Sequence, residues 1–563
     1  MSDQPTTPAP AIDNAVEAKP DVPLGEDGKP LSKNEIKKRA KEAEKAAKAA
    51  ARAEREKEEA RLRKEKDDLD LAKQNYGKLP LHQSAERETR ERAQLADISK
   101  ANIGQTIYFR ARVTTTRAQG SKMVFLSLRQ QSSSIQALME LSKDASDPHQ
   151  VSKQMLKYAA SIPTESIVLV EGVVKAPFEE VRGASVKDAE IVIRKIHTMV
   201  EVSATLPMLY ADASRSAADY EKEDSQYASV SLATRLNNRV IDLRTDTNLA
   251  IFKIQSAVGQ CFREFLTKQR FIEIHTPKLQ GAATESGASV FKVEYFGGPA
   301  FLAQSPQLAK QMCIAGDMER VFEIAPVFRA ENSNTHRHLT EFTGLDLEMA
   351  FESHYHEVLE LLDSLLLYLF KELKTTYAKE VATVRTQFPT EEFLIPEKTV
   401  KLHFKEAIAM LREANVKNED GSELGDYDDL STANEKKLGA LVREKYQTDY
   451  FILDKFPLAI RPFYTMPDAT DPNYSNSYDF FMRGEEILSG AQRIHDAEFL
   501  CQKMREKDVD PDSMKGYVDA FRFGAPPHAG AGFGLERIVQ FYLNLGNIRR
   551  SSLFPRDPTR LEP

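Results

Sequence analysis

Cysteine is scarce in this chain: three in 563 residues, at Cys261, Cys313 and Cys501. Residues so far apart offer no zinc-ligand spacing and no disulfide framework, and they suit a reducing compartment. Long apolar runs are missing too, and none reaches the ~20 residues that a membrane-spanning helix needs. The N-terminus shows no basic-apolar leader, and acids such as Asp13, Asp21 and Asp27 argue against a transit peptide. A cytoplasmic protein with no membrane partner is the expectation. With a net charge of −8 the chain as a whole has no basic signature for nucleic acid, so the distribution of charge matters more than its sum.

The length allows two or three domains and a substantial core. Residues 1–30 are rich in Pro, Ala and acids and are expected to be disordered. Ser32 and Glu35 then have capping-box spacing and open an Ala/Lys/Glu/Arg-rich helix within segment 31–75. At about 100° per residue, Lys33, Lys37, Lys41, Lys45 and Lys48 share one stripe with Arg52 and Arg55. Phosphates of any base sequence can bind such a stripe by counterion release. The competing reading is a solvated helix laced by Glu–Lys pairs, since Glu44 and Glu59 lie near it.

Segment 76–205 holds β-rich runs at 107–113, 123–128, 135–139, 167–174 and 190–196, with Gly104, Gly120, Gly172 and Gly183 as turn signals. That count predicts a small five-stranded barrel of the OB type. Alternation turns Val124, Leu126 and Leu128 inward and Phe125 outward; likewise Ile135, Ala137 and Met139 face in and Gln136 faces out. Taken alone, Phe125 reads as an ordinary partly buried ring. An exposed aromatic beside an amide is also how such barrels stack and read single-stranded bases.

A polar connector at 206–245 leads into the longest segment, 246–563. Its first element is a helix over 248–269 whose Ile251, Ile254, Val258, Phe262 and Phe265 form an apolar stripe. A strand over 271–277 follows, closed by Pro277. Helical patterns at 355–373 and 404–414, with a polar stretch at 417–435, suggest an insertion at about 355–450 on an antiparallel α+β core.

The segment from Val321 to Ala350 is the most informative. Period two puts Arg329 and Glu331 on one face of a first strand, while in a second Leu345, Leu347 and Met349 form a core face and leave Phe342, Asp346 and Glu348 opposite. A hairpin of the two would gather a guanidinium, an aromatic ring and carboxylates on one surface, a site for a charged planar ligand.

Phe328-Arg329-Ala330-Glu331 followed by Thr340-Glu341-Phe342 resembles motif 2 of the class II aminoacyl-tRNA synthetases. Gly530 to Arg537 resembles motif 3, and Phe271 to Pro277 resembles motif 1. Three motifs in this order over roughly 300 residues make chance a poor explanation. The likeness extends upstream to about residue 100 and is strongest to the aspartate-specific cytosolic members of eukaryotes. It implies an antiparallel-sheet catalytic domain preceded by an OB-fold anticodon-binding barrel and a basic N-terminal helical extension, in a homodimer with Pro277 at the subunit junction.

The resemblance also implies chemistry. Arg329 would grip the α-phosphate of ATP and Arg537 the γ-phosphate or the adenine, with Phe342 as the other aromatic face. Glu331, His338, Glu486 and Gly534 join the ATP set, while Asp479 and Glu486 would hold Mg2+ against the triphosphate. Strict alternation sets Glu486 apart from Ser489 and Arg493, and Gly490 is the expected bulge that would reconcile them. Gln304 to Lys310 resembles the aspartate-specific signature and Thr284 to Gly287 the mobile loop over the amino acid. On that likeness Glu285 and Gln307 hold the α-ammonium, Lys310 and Arg493 bind the side-chain carboxylate, Asp346 orients them, and Ser489 belongs to the same set. Phe125 would stack an anticodon base, with Arg117, Gln136 and Glu190 as polar readers. His336 and Arg337 are candidates for ATP and the tRNA acceptor end. Ala531 stands where close relatives often carry glycine; with Gly530, Gly532 and Gly534 retained, a methyl group should be tolerated there.

The function implied is attachment of L-aspartate to aspartate tRNA with ATP. Asparaginyl-tRNA synthetase shares the fold, but two cations built for a carboxylate disfavour asparagine. A catalytically silent RNA-binding paralogue would be expected to have lost Arg329, Arg537 or the carboxylates. A lysine-specific relative would need an acidic pocket, and a tRNA-independent amide-forming relative would lack the OB domain.

Overall fold

The computed structural model describes residues 33–68, 70–144, 147, 149–222, 226–281 and 290–563. The tail at 1–30, Ser32 of the expected capping box, the Lys33 side chain and Glu285 with its loop lie outside the described residues. Two compact units divide the chain, Met1–Ser203 and Ala204–Pro563.

In the first unit a helix spans Lys33–Asp68. Its residues are strong helix formers, without Gly or Pro. Lys37, Lys41, Lys45 and Lys48 are exposed, whereas Arg52 and Arg55 pair with Glu56 and Glu59 one turn on, at 2.9 and 3.1 Å. One helix thus carries both exposed lysines in its first half and Arg–Glu pairs from Arg52 onward.

The barrel follows: β1 (Tyr76–Lys78), β2 (Thr106–Gln119), β3 (Met123–Gln130), β4 (Ser133–Glu140), β5 (Ile167–Lys175) and β6 (Glu190–Val200). Strands β2 to β5 pair antiparallel through β3–β4, β2–β3 and β2–β5, β6 closes the barrel against β5 and, in parallel, β4, and β1 adds to the outer edge of β6. Val124, Leu126, Leu128, Ile135, Ala137 and Met139 are all buried in its core, which leaves Phe125 and Gln136 on the outside as the alternation requires. Gly172 is not a turn. It sits inside β5, where an added Cβ would lie 2.5 Å from Ile191, beside a register shift between β5 and β6. Its glycine allows strands to pass at close quarters.

In the second unit the segment 206–245, expected as a polar connector, carries short helices at Tyr210–Ala213, Ala217–Tyr220, Leu232–Asn237 and Arg239–Asp242. Arg239 and Asp242 are a buried ion pair, and Arg239 also donates to the carbonyls of Ser552 and Leu553. Thr245 then caps the long helix Asp246–Lys268 by accepting from the Asn248 N–H. Its inward stripe, Ile251, Ile254, Val258 and Phe262, packs under the main sheet.

That sheet has eight strands: β7 (Ile272–Glu273), β11 (Arg320–Phe328), β12 (Glu341–Ala350), β13 (Val400–His403), β14 (Tyr450–Asp454), β15 (Ser477–Met482), β16 (Glu485–Gln492) and β17 (His528–Gly534). The spatial order is β13-β14-β15-β16-β17-β12-β11-β7, antiparallel except for the outer pairs β13–β14 and β7–β11. Short strands β8 (Leu279–Gln280), β9 (Lys292–Tyr295) and β10 (Gly298–Leu302) make a separate sheet. Of the strand expected over 271–277 only Ile272 and Glu273 form strand, with the Ile274 N–H still donating to the Phe322 carbonyl, and Pro277 follows in exposed loop.

The stretch 355–450, expected as an insertion decorating the core, is built into it. Helix His356–Thr375 buries Val358, Leu359, Leu362, Leu365, Leu366, Leu369, Phe370 and Leu373 against the central cluster, and β13 and β14 extend the central sheet. Its apolar stripe is too wide for an exposed appendage. What stands apart is a smaller core of helices Phe404–Glu413 and Thr432–Tyr446, centred on Phe404, Leu411, Leu438 and Phe451.

Candidate functional site

At its central strand β12 the main sheet is apolar on one face and charged on the other. Along β12, Leu345, Leu347 and Met349 enter the core, while Phe342 and Asp346 turn to the opposite side and line a cavity of about 330 Å³. Its floor is glycine. In β17, Gly530, Gly532 and Gly534 stand opposite Glu348, Asp346 and Gly344 of β12. A Cβ on Gly530 would lie 2.1 Å from Glu348 Oε2, and one on Gly532 would lie 3.0 Å from Asp346 Oδ1. The glycines therefore have period-two spacing along a strand and make room for two carboxylates. Ala531 lies between them with its methyl group in the core, and its φ is not positive.

The cavity wall brings together Gln307, Arg329, Glu331, His338, Phe342, Asp346, Glu486, Ser489, Arg493, Gly534 and Arg537. Their meeting depends on a bulge that the sequence misplaces. Glu486 pairs with Phe481 and Leu488 with Phe480, so Ile487 is the extra residue. That extra residue, and not Gly490, turns Glu486 to the side of Ser489. Gly490 has a different task, since a Cβ there would meet the Tyr478 ring at 2.3 Å.

Two charged regions divide the cavity. In the first, Arg329, Arg337 and Arg537 converge: the Arg329 guanidinium lies 5.7 Å from the Phe342 ring centre, and Arg537 Nη1 donates to the Glu486 carbonyl at 3.3 Å. Burial, followed by the Arg537, Arg337 and Arg329 charges, depresses the His338 pKa against the opposing Glu331, so this imidazole is neutral at pH 7. Burial likewise lowers the Arg537 pKa, with Glu486 opposing it and Arg337 and Arg329 adding to it. Cations that repel one another around a neutral ring form a site for a polyanion.

Arg337 is anchored from outside the motif. Its Nη1 donates to Glu435 at 2.7 Å and its Nη2 to Thr432 Oγ1 at 2.7 Å, both on helix Thr432–Tyr446. His336 contacts Glu485 at 2.9 Å. Burial raises the Glu435 pKa to about 7 despite Arg337.

The second region holds two buried cation–carboxylate pairs. Arg493 donates to Glu348 through Nε at 2.9 Å and Nη2 at 3.2 Å. Lys310 Nζ donates to Asp346 Oδ1 at 3.1 Å and to the carbonyls of Ala531 and Leu347 at 3.2 and 3.4 Å, with Glu348 at 3.4 Å. Lys310 lies behind the wall, and Asp346 stands between it and the cavity surface. Glu348 is the residue that sequence reasoning left out of this set, although alternation had put it on the face of Asp346. Arg461, also unforeseen, donates to Ser489 Oγ and Asp479 Oδ2, each at 2.9 Å; it comes from an irregular segment that carries no motif.

Asp479 is buried beside the cavity and does not line it. Burial holds its pKa above the usual carboxylate range, Glu486 adds to that, and Arg461 opposes it. Its Oδ1 is buried without a hydrogen-bond partner.

On the barrel, Arg117, Phe125, Gln136 and Glu190 line a separate open depression. Phe125 pairs with Arg117 across β3–β2, and Gln136 Nε2 donates to Glu190 Oε2 at 3.0 Å. Phe178, fully exposed in the loop between β5 and β6, borders the same depression; its exposure follows from no periodic pattern in the sequence.

A family model described as class II tRNA synthetases (D, K and N) matches residues 231–558, and a model for an OB-fold nucleic acid binding domain matches residues 107–199. The chain is 52% identical over 494 residues to the cytoplasmic aspartate–tRNA ligase of Bos taurus, covering 88% of this chain and 96% of that protein. It is 48% identical to the cytoplasmic aspartate–tRNA ligase of Caenorhabditis elegans, over 96% of this chain and 100% of that one. The solved aspartyl-tRNA synthetase of Entamoeba histolytica superposes with a TM-score of 0.78 at 45% identity, covering 87% of this chain and 96% of that chain. Matched in its motifs, its two folds and nearly its whole length, the chain belongs to the class II tRNA synthetases, among the cytoplasmic aspartate–tRNA ligases.

Proposed function

We propose that this protein is a cytoplasmic aspartate–tRNA ligase, which activates L-aspartate with ATP and transfers it to the 3′ end of aspartate tRNA. The buried pairs Arg493–Glu348 and Lys310–Asp346 carry the substrate choice. They hold two cations in fixed positions at one end of a cavity whose other end is built for a polyanion. Arg493 meets the aspartate side-chain carboxylate at the surface, and Lys310 reinforces the positive potential from beneath Asp346. Asparagine would bring no charge to Arg493 and would set an NH2 donor where a carboxylate presents a second acceptor oxygen to the guanidinium, a stronger basis for rejection than size.

Adenylate formation needs an α-carboxylate oxygen of aspartate to attack the α-phosphorus of ATP as the bond to pyrophosphate breaks. Arg329 is placed to neutralise the α-phosphate, and Phe342 and Arg537 to enclose the adenine, so positioning and charge do most of the work. The cavity also includes Glu331, His338 and Gly534 beside the nucleotide. Glu486 at the cavity wall and Asp479 buried behind it, whose Oδ1 has no hydrogen-bond partner while Arg461 holds its Oδ2, are the carboxylates we offer for a divalent cation shared with phosphates. Bound there, Mg2+ would neutralise charge on the triphosphate. Gln307, and Glu285 on its loop, would hold the α-ammonium.

The depression around Phe125 suits a stacked base, with Arg117, Gln136 and Glu190 on its edges, and the stripe Lys33, Lys37, Lys41, Lys45 and Lys48 suits tRNA phosphates. Homodimer formation is supported by exposed Ile272 and Leu279 flanking exposed Pro277. Amino-acid-dependent pyrophosphate exchange with aspartate, asparagine and lysine tests the reading. Exchange driven by aspartate alone is the expected result, and exchange driven equally by asparagine would overturn it.

A further inference from the structure

Behind Gln307 runs a chain of buried hydrogen bonds whose polarity is set at its far end. His528 Nδ1 lies 2.8 Å from the Pro526 carbonyl, which can only accept, so Nδ1 carries the proton. Burial depresses the His528 pKa, so the ring is neutral and Nε2 is an acceptor. Its neighbour at 3.0 Å is the side-chain amide of Gln311, which must therefore present its NH2 group to His528. That choice leaves Gln311 Oε1 to accept from Tyr517 Oη and from Gln307 Nε2, both at 3.0 Å. Gln307 has then turned its NH2 group inward, and its own Oε1 is left for the cavity.

We infer that Gln311, Tyr517 and His528 are positioning residues that fix the polarity of Gln307, so that an amide oxygen and not an NH2 group meets the α-ammonium of the substrate. The inference rests on the proposed reading that Gln307 contacts this ammonium. The parts are placed for the task by three elements. Gln307 and Gln311 are one turn apart on helix Gln307–Ala315, Tyr517 comes from helix Lys515–Arg522, and His528 begins β17. Gln307, Gln311, Tyr517 and His528 are all at least nine-tenths buried, so no bulk water competes for their hydrogen bonds. Reversing any amide in the chain would set donor against donor or acceptor against acceptor. Either mismatch in a buried site is costly, which is how a histidine two links away can decide what Gln307 offers.

The test compares the native protein with His528→Phe, His528→Gln and Gln307→Ala in pyrophosphate exchange, using succinate as a competitive inhibitor that lacks the ammonium. His528→Phe keeps the ring that stacks on Phe521 but removes the acceptor; His528→Gln restores an acceptor oxygen near the Nε2 position. The expected result is a KM for aspartate raised about tenfold in His528→Phe, equivalent to about 1.4 kcal/mol, with the KM for ATP and the Ki for succinate nearly unchanged. His528→Gln should recover most of the loss. An unchanged aspartate KM in His528→Phe would overturn the relay. So would parallel weakening of aspartate, succinate and ATP, which marks a merely structural role. Gln307→Ala separates the two ideas: if it leaves the preference for aspartate over succinate intact, the ammonium reading itself fails. If it lowers that preference while His528→Phe does not, only the relay fails.

Discussion

Glu348→Gln isolates the charge balance of the substrate end of the cavity. Glu348 is fully buried, accepts two hydrogen bonds from Arg493 at 2.9 and 3.2 Å, and lies 3.4 Å from Lys310. Removing one partner of such a pair costs about 3–5 kcal/mol, and because Gln keeps one acceptor oxygen the lower end, about 3 kcal/mol, is expected. Lys310 and Arg493 are balanced by Asp346 and Glu348, so the variant leaves one excess positive charge. The aspartate side chain supplies a matching negative charge on binding. L-aspartate should therefore stabilise Glu348→Gln more than it stabilises the native protein. Burial alone would raise the Glu348 pKa, but Arg493 and then Lys310 bring it below the ordinary carboxylate value. Its stabilising effect is thus present above the unfolded-state pKa and is lost only as pH falls through the lowered folded-state pKa, where native and variant curves should converge. Denaturant unfolding with and without aspartate, from neutral pH downward, measures all of this. A variant as stable as the native protein, or one with an equal aspartate increment, would refute the reasoning.

The remaining expectations use separate parts of the molecule. Arg493→Leu and Lys310→Met should each lower kcat/KM for aspartate in pyrophosphate exchange by at least about 3 kcal/mol in transition-state terms, with the KM for ATP little changed. Glu435, whose pKa burial raises to about 7, holds its proton in the folded state through a window where the unfolded state has lost it. Stability should consequently fall as pH rises from about 4.5 to 7, and Glu435→Gln should flatten that slope in unfolding measurements. Phe125→Ala should weaken tRNA binding by about 1–3 kcal/mol in a filter-binding titration while adenylate formation is retained. Deleting residues 1–70 should lower tRNA affinity across sequences and reduce its salt dependence, since fewer counterions are released; parallel salt titrations of equal affinity would show that the lysine stripe does not bind this RNA.

How much of this was legible depended on whether a residue's position followed from local periodicity. The barrel strands and the inward set Val124, Leu126 and Leu128 obey period two, so the outward direction of Phe125 could be read without coordinates. Leu345, Leu347 and Met349 declared the core face of β12 in the same way, and with it the open side of Phe342 and Asp346. Glu348 followed the same rule onto that face, yet nothing local shows that its partner is Arg493, 145 residues on. The bulge at Ile487 was equally hidden, because an extra residue is recognised only against the register of the neighbouring strand. Arg461 lies in an irregular segment, where no period constrains which way a side chain points.

The glycines of 530–537 show why a motif can be seen and still be misread physically. As a string they suggest a flexible turn. In the sheet they form one face of β17, and their spacing is dictated by the carboxylates opposite: Glu348 would collide with any side chain at 530, and Asp346 would be crowded by one at 532. Ala531 points to the other face and meets only the core. The alternation of tolerant and intolerant positions along that strand is therefore set by its neighbour β12. A methyl group at 530 would displace Glu348, and through it the guanidinium of Arg493, at the point where the aspartate carboxylate is proposed to bind.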